Sequence, residues 1–409
     1  MFSLDVAPRV GELHGRQALN HLRDRNAAGG FSRRLAAFAT IPMMLLAGCA
    51  DSAPPATSRS PATSASRTAS QLPAPLPNSL QPGTIGLNAV TLILPATRTQ
   101  QYDYLKAEGF PAVRLAIEWD LIERSPGEFD WRETDSLING AVRRGLKILG
   151  LLTYAPSWAV PPQSRPLVHP GPADAKAWRN FVAHAAQRYR DVVHNWEIWN
   201  EPNVDDSFAP APDLAVYSAM LKESYSAIKA VDRDSVVITG GTSPAVDTPT
   251  EMSPLTFIKG LYDHGVGDSF DAVGMHPYSS PELLSTEGAA ETSNSNRAIK
   301  DVTELMAFHG QSGKRIWFTE FGASTAAPGG TAPDLSGQQV GVTLDRQADI
   351  LTDGINYVRS LSNGGPIFLF DHRDIETGSR NVEFNYGLLR SDFTAKPSLA
   401  AVQALLRIR

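Results

Sequence analysis

Residues 195–203 read Asn195-Trp196-Glu197-Ile198-Trp199-Asn200-Glu201-Pro202-Asn203. Trp196, Ile198 and Trp199 suit a pleated, buried surface, so the run begins as a short strand. Pro202 has no N–H to give a sheet ladder and ends it. Glu201 therefore stands where a strand turns into a loop. A second stretch repeats the arrangement. Residues 315–322 read RIWFTEFG, with Ile316, Trp317 and Phe318 leading to Glu320. Carboxylates at the C-terminal ends of strands are what a (β/α)8 barrel uses for chemistry.

Working outward, short apolar runs alternate with amphipathic stretches, the pattern of a parallel sheet with crossover helices. Eight strands are predicted, at 84–88, 112–118, 147–153, 194–199, 236–240, 271–276, 315–320 and 366–371. Helices are predicted at 97–108, 132–144, 173–189 and 397–406. The fold class is α/β, a single (β/α)8 TIM barrel with enlarged loops. A doubly wound sheet is the runner-up, but no Gly-rich phosphate loop opens the first helix. Period-two alternation puts Arg114, Ala116 and Glu118 on one face, and Ala272, Gly274, His276 and Tyr278 on another. It likewise groups Ile316, Phe318 and Glu320.

The chain has 409 residues, 42% of them hydrophobic, with net charge −6 and pI about 5.9. A mildly acidic chain without basic runs argues against nucleic acid as a partner. Residues 1–48 are of another kind. Arg33 and Arg34 precede an apolar run that ends in Leu46-Ala47-Gly48-Cys49, the form of a secretory signal. The run is too short to span a membrane. Its ending resembles the bacterial lipobox, which implies lipidation of Cys49, secretion across the bacterial cytoplasmic membrane and anchorage to the envelope. The plainer reading is a signal peptide with a chance cysteine. Cys49 is the single cysteine, so no internal disulfide can form. Residues 49–81 are rich in Ser, Thr, Ala and Pro and cannot bury a core. They read as a tether spanning roughly 30 Å as a coil. The folded domain is expected at 82–409.

Two carboxyl groups facing each other can cleave a glycosidic bond. One protonates the leaving oxygen and the other attacks the anomeric carbon, at a separation of roughly 5–5.5 Å. Different surroundings must set their two proton affinities apart. Asn200 can donate an amide N–H to a sugar hydroxyl. The bland alternative for each glutamate is a solvated charge at a strand end.

The run Trp196 to Asn203 resembles the strand-four motif of clan A glycoside hydrolases, most closely family 39 and the related cellulase-like (family 5-related) bacterial glycosidases. The segments Val113-Arg114-Leu115 through Trp119, Pro126-Gly127-Glu128-Phe129-Asp130-Trp131, Leu152 to Ala159 and Tyr386 to Arg390 are similar to that group as well. The likeness covers the chain beyond about residue 82. It implies a retaining glycoside hydrolase, with Glu201 as acid/base and Glu320 as nucleophile. Arg114 would hold the nucleophile ionised, or else pair structurally with Glu118 or Glu197. His276 and Tyr278 would sit near the nucleophile, with Tyr278 orienting it. Glu197 would be a supporting acid.

Sugar rings present C–H faces that stack on aromatic planes. Trp119, Tyr154, Trp158 and Trp199 are candidate platforms, while Trp178, Trp196 and Trp317 read as core. Many clan members carry a tryptophan on strand eight, and this chain has none there. Either Phe368 or Phe370 replaces it as a floor for the sugar, or that floor is absent. Asp371, His372, Arg373 and Asp374 follow, to contact hydroxyls or to pair among themselves. No metal or cofactor is implied, since neither an HExxH nor a dinucleotide fingerprint is present. The expected substrate is an extracytoplasmic poly- or oligosaccharide. A non-catalytic glycan-binding barrel and a structural lipoprotein are the competing classes.

Overall fold

The computed structural model describes residues 79–286, 294–325 and 341–407. The signal segment 1–48, Cys49 and all of the tether except its last three residues lie outside the described residues. Eight parallel strands close into one barrel in chain order. They are β1 (Ile85–Asn88), β2 (Ala112–Glu118), β3 (Lys147–Thr153), β4 (Asn195–Ile198), β5 (Val236–Thr239), β6 (Ala272–Met275), β7 (Arg315–Phe321) and β8 (Gly364–Leu369). Leu87 pairs with Val113 on one side and Leu369 on the other, which closes the ring. Every expected strand is present, and closure excludes the doubly wound alternative.

Helices wrap the outside, and local signals set their ends. Pro95 opens α1 (Pro95–Glu108), and Gly109 ends it at φ 90, returning its N–H to Leu105 and Lys106 carbonyls. A short α2 (Trp119–Ile122) follows β2 directly. Next come α3 (Arg132–Val142), α4 (Ala175–Tyr189) and α5 (Leu214–Val231). Asp174 caps α4 by accepting the Lys176 N–H, so that helix starts two residues later than expected. Asp213 caps α5 in the same way. The ring continues with α6 (Pro254–Asp263), α7 (Ser295–Phe308), α8 (Leu344–Ser360) and α9 (Pro397–Leu406). None of the described helices is long and apolar enough to cross a membrane.

The lumen is layered. Leu80, Ala112, Leu149, Ile238, Ala272, Trp317 and Phe368 pack together as its floor. Leu80 was expected in the tether. It is 5% exposed, and its N–H donates to Asn195 Oδ1 at 3.2 Å. Above the floor come polar groups: Asn88, Arg114, Glu197 and His276 are all buried.

Strand β7 departs from simple alternation. Ile316 and Phe318 face the outer core, while Trp317 lies in the floor. The expected grouping of Ile316, Phe318 and Glu320 is therefore wrong. The β7–β8 register shifts between Phe318 and Phe321. With that irregularity, Thr319 and Glu320 both reach the groups above the floor.

Candidate active site

Arg114, in the middle of β2, organises the site. All five of its N–H groups find acceptors. Nε and Nη2 grip Glu197 at 2.6 and 3.1 Å. Nη1 reaches Asn88 Oδ1 at 3.0 Å and Glu320 Oε1 at 2.6 Å, and Nη2 reaches Asn200 Oδ1 at 2.8 Å. Arg114 thus contacts Glu320 and also pairs structurally with Glu197, so the two arrangements expected for it coexist. Burial favours loss of its proton, but Glu197 and Glu320 outweigh that and raise its pKa.

Glu197 is 0% exposed, and its Oε1 also accepts the Gly241 N–H and the Thr319 hydroxyl at 2.9 and 2.8 Å. Burial alone would raise its pKa. The charge of Arg114 and its hydrogen bonds, with His276 Nε2 3.9 Å away, instead bring it down to about 2. It is a permanent buried anion balancing Arg114.

His276 follows β6 and is fully buried. Thr319 gives its single hydroxyl proton to Glu197, so its oxygen accepts from His276 Nε2 at 3.0 Å. Nδ1 lies 2.9 Å from Glu201 Oε1 and 3.8 Å from Glu320 Oε2. Burial pushes the imidazole toward neutrality. Glu320, Glu197 and Glu201 overcome that and raise its pKa to about 9. His276 stands near Glu320, as expected, but its hydrogen bond goes to Glu201. The Tyr278 hydroxyl does bond Glu320, at Oε2 and 2.8 Å. Burial, then the Glu320 charge, raises the pKa of Tyr278, so it stays a donor.

The backbone at the end of β4 is unusual. Trp199 and Glu201 have φ of +70° and +42°, a region side chains avoid. Glu201 is held there by its N–H to the Gly241 carbonyl at 3.1 Å. Gly241 cannot be replaced without conflict, since a Cβ would strike the His276 ring and the Thr319 hydroxyl.

The aromatic residues divide. Trp119 is 0% exposed, stacks on Phe181 and gives its indole N–H to Glu123 Oε2 at 2.6 Å. Trp199 is equally buried and bonds the Ser207 carbonyl. The expectation that either offers a face to sugar is corrected: both are core. Tyr154 and Trp158 stay half-exposed at the top of β3. Phe368 lies in the floor, whereas Phe370 is half-buried with its ring 6.5 Å from Tyr278 and 5.3 Å from Tyr386. Phe370 is thus the strand-eight aromatic on the carboxylate side. The residues after it pair with the fold: His372 with Glu108 at 2.9 Å, and Asp374 with Lys396 at 2.7 Å.

Sequence reasoning missed Asn88, Thr319 and Gly241 as parts of the network. Asn88 closes β1 and ties Arg114 to the Thr319 carbonyl. A polar residue ending a strand was its signal. Thr319 had none, because the β7 irregularity is invisible in alternation. Arg114, Asn200, Glu201, His276, Tyr278 and Glu320 are brought together in one set of direct contacts.

Comparison with known proteins agrees with this geometry. A family model described as Cellulase (glycosyl hydrolase family 5) matches residues 82–351. Among solved structures, the chain is similar to a family 39 glycoside hydrolase from the gut symbiont Bacteroides cellulosilyticus WH2, with TM-score 0.62, 24% identity, and 81% of this chain and 66% of that one covered. A monomeric beta-xylosidase from Caulobacter crescentus CB15 matches with TM-score 0.57 and 20% identity, over 81% of this chain and 70% of that one. An exo-beta-1,4-mannosidase from Opitutaceae bacterium strain TAV5 matches with TM-score 0.54 and 15% identity, over 80% and 59%. The chain spans just under two thirds of the length of the first of these. At such identities the likeness is one of fold.

Proposed function

This chain belongs to the cellulase family, glycosyl hydrolase family 5, and from that premise we propose that it hydrolyses its glycan by double displacement with retention, with Glu201 as acid/base and Glu320 as nucleophile. The broader statement, a glycoside hydrolase acting on glycosidic bonds of a polysaccharide, follows from the family itself. One observation supports the finer one. A single nitrogen, His276 Nδ1, lies 2.9 Å from Glu201 and 3.8 Å from Glu320. The two carboxylate oxygens are therefore no farther apart than the sum of those distances. Retaining enzymes need roughly 5–5.5 Å between their carboxyl groups, and inverting ones roughly 6.5–9.5 Å.

The surroundings give the two glutamates different work. Glu320 accepts from Arg114 on one oxygen and Tyr278 on the other, which holds it in one orientation, as a nucleophile requires. Glu201 accepts from His276 at Oε1, and we assign the acid proton to its other oxygen. In the first step a Glu320 oxygen bonds the anomeric carbon, the bond to the leaving oxygen breaks, and that oxygen takes the Glu201 proton. In the second, Glu201 takes a proton from water, water oxygen bonds the anomeric carbon, and the ester to Glu320 breaks. Asn200, turned by its bond to Arg114, presents its amide N–H2 on the side away from the guanidinium.

We place the enzyme outside the cytoplasm, secreted and held by lipid on Cys49, on the strength of the Leu46-Ala47-Gly48-Cys49 sequence. NMR of the first-formed anomer on a hydrolysed oligosaccharide tests the mechanism. Retained configuration is expected, and an inverted product removes Glu320 as nucleophile. For the anchor, Cys49→Ser should move the protein from the membrane fraction to the soluble one.

A further inference from the structure

Gly241, Thr242 and Ser243 follow β5 and form a strap along the Glu201 side of the site. Gly241 gives its N–H to Glu197 Oε1 at 2.9 Å, and its carbonyl accepts the Glu201 N–H at 3.1 Å. The Thr242 carbonyl accepts the His276 N–H at 2.9 Å, and the Thr242 N–H goes to the Gly274 carbonyl at 3.3 Å. The strap therefore fixes the backbone of Glu201 and also that of His276, whose ring bonds the Glu201 carboxylate. It packs closely on β4. A Cβ on Gly240 would stand 2.6 Å from the Trp199 carbonyl oxygen.

The far end of the strap is pinned by one side chain, Asn203, two residues after Glu201 and 0% exposed. Its Oδ1 accepts the Ser243 N–H at 2.9 Å. Its Nδ2 donates to the Ser243 carbonyl at 2.9 Å and to the Met252 carbonyl at 2.8 Å. Its own carbonyl accepts the Met252 N–H at 2.8 Å, and Val204 beside it forms an antiparallel bridge with Glu251. One carboxamide thus fastens the loop after β5, near both its ends, to the loop that carries Glu201. The work needs a donor and an acceptor together, which an amide has and a carboxylate lacks. What the strap holds is an unfavourable backbone. Glu201 has φ +42°, and such a conformation persists only where its surroundings impose it. Glu320 is oriented separately, by Arg114 and Tyr278. Loosening the strap would therefore disturb the two carboxylates unequally.

We infer that Asn203 is a positioning residue for Glu201, acting through the strap 241–243, and that it governs proton delivery to the leaving oxygen rather than attack by Glu320. This rests on the assignment of Glu201 as acid/base. Proton transfer demands a short, aligned path from the carboxyl group to the departing oxygen, so a small displacement of Glu201 slows departure. The penalty falls on leaving groups that need the proton and spares those that depart without it.

The test uses the purified protein and aryl β-glycosides of glucose, xylose, mannose and cellobiose, each with phenol or dinitrophenol as leaving group. Dinitrophenolate departs unaided, whereas phenolate needs a proton. The readout is the ratio of kcat/KM for the phenyl glycoside to that for the dinitrophenyl glycoside. Asn203→Ala should lower this ratio about tenfold, a part of the roughly 10²- to 10⁴-fold that a general acid supplies. Asn203→Asp keeps the size of the side chain but turns acceptors toward two carbonyls, and should lower the ratio as well. If Asn203→Ala does not fold, Asn203→Asp carries the test. A residue that served stability alone would lower Tm and both rates together. A ratio within about twofold of wild type in the folded variants therefore overturns the inference. Glu201→Gln, run beside them, tells the two failures apart. Should it lower both rates equally, Glu201 is not the acid and the role of Asn203 falls with it. Should it lower the ratio while the Asn203 variants keep it, only the role of Asn203 is overturned.

Discussion

His276 donates Nδ1–H to Glu201 Oε1 across 2.9 Å, and neither ring nitrogen lies at the surface. Its pKa is raised from 6.5 to about 9, against the pull of burial, by Glu320, Glu197 and Glu201. A raised pKa means that the folded form holds the proton more tightly than the unfolded one. The stabilisation is complete below pH 6.5 and is lost as pH rises through about 9. The shift corresponds to on the order of 3 kcal/mol. Wild-type Tm should fall across that window, and His276→Gln should be flat there. Parallel curves for the two proteins would show that His276 is neutral in the fold.

Glu320→Gln should lower kcat by about 10⁴-fold or more while the thermal unfolding and glycan affinity stay close to wild type. Glu201→Gln should differ. It should retain turnover on glycosyl fluorides, which need no proton at departure, and fail on ordinary glycosides. Equal losses on both substrate types would remove the distinction between acid and nucleophile.

Tyr278→Phe deletes one hydrogen bond to Glu320, the proposed nucleophile, and little else. Bonds of that kind contribute roughly 1.5–3 kcal/mol, or about 10- to 100-fold in kcat. KM should move little. Steady-state kinetics on one substrate decides it, and an unchanged kcat would mean that Arg114 alone orients Glu320.

Trp119→Phe should leave KM unchanged and lower stability by about 1–3 kcal/mol, because Glu123 Oε2 loses the indole donor inside the core. Urea denaturation beside a KM measurement separates the two roles. A large rise in KM at wild-type stability would restore Trp119 as a sugar platform.

The order and type of the strands were legible because each β/α unit announces itself by a short apolar run and a capped helix. The candidate pair was legible because Glu201 lies beside Pro202, which ends a strand, and Glu320 repeats its place after a run of aromatic and β-branched residues. Aromatic roles were not legible. Trp119 and Tyr154 both follow strands, yet one is sealed by Phe181, Trp158 and Trp178 and the other is left half-open. That difference comes from loops whose paths are not written in any local pattern. The partner of His276 was likewise hidden. It depends on Gly241 leaving room for the ring and on a register shift in β7.

Leu80 enters the barrel at the N-terminal ends of the strands, touching Asn195 at the start of β4, while Lys147 at the start of β3 bonds the Ser79 carbonyl. Glu201 and Glu320 open at the other pole. An anchor on Cys49, as proposed, would hold this barrel by the pole opposite Glu201 and Glu320, so that the two carboxylates would face away from the point of attachment.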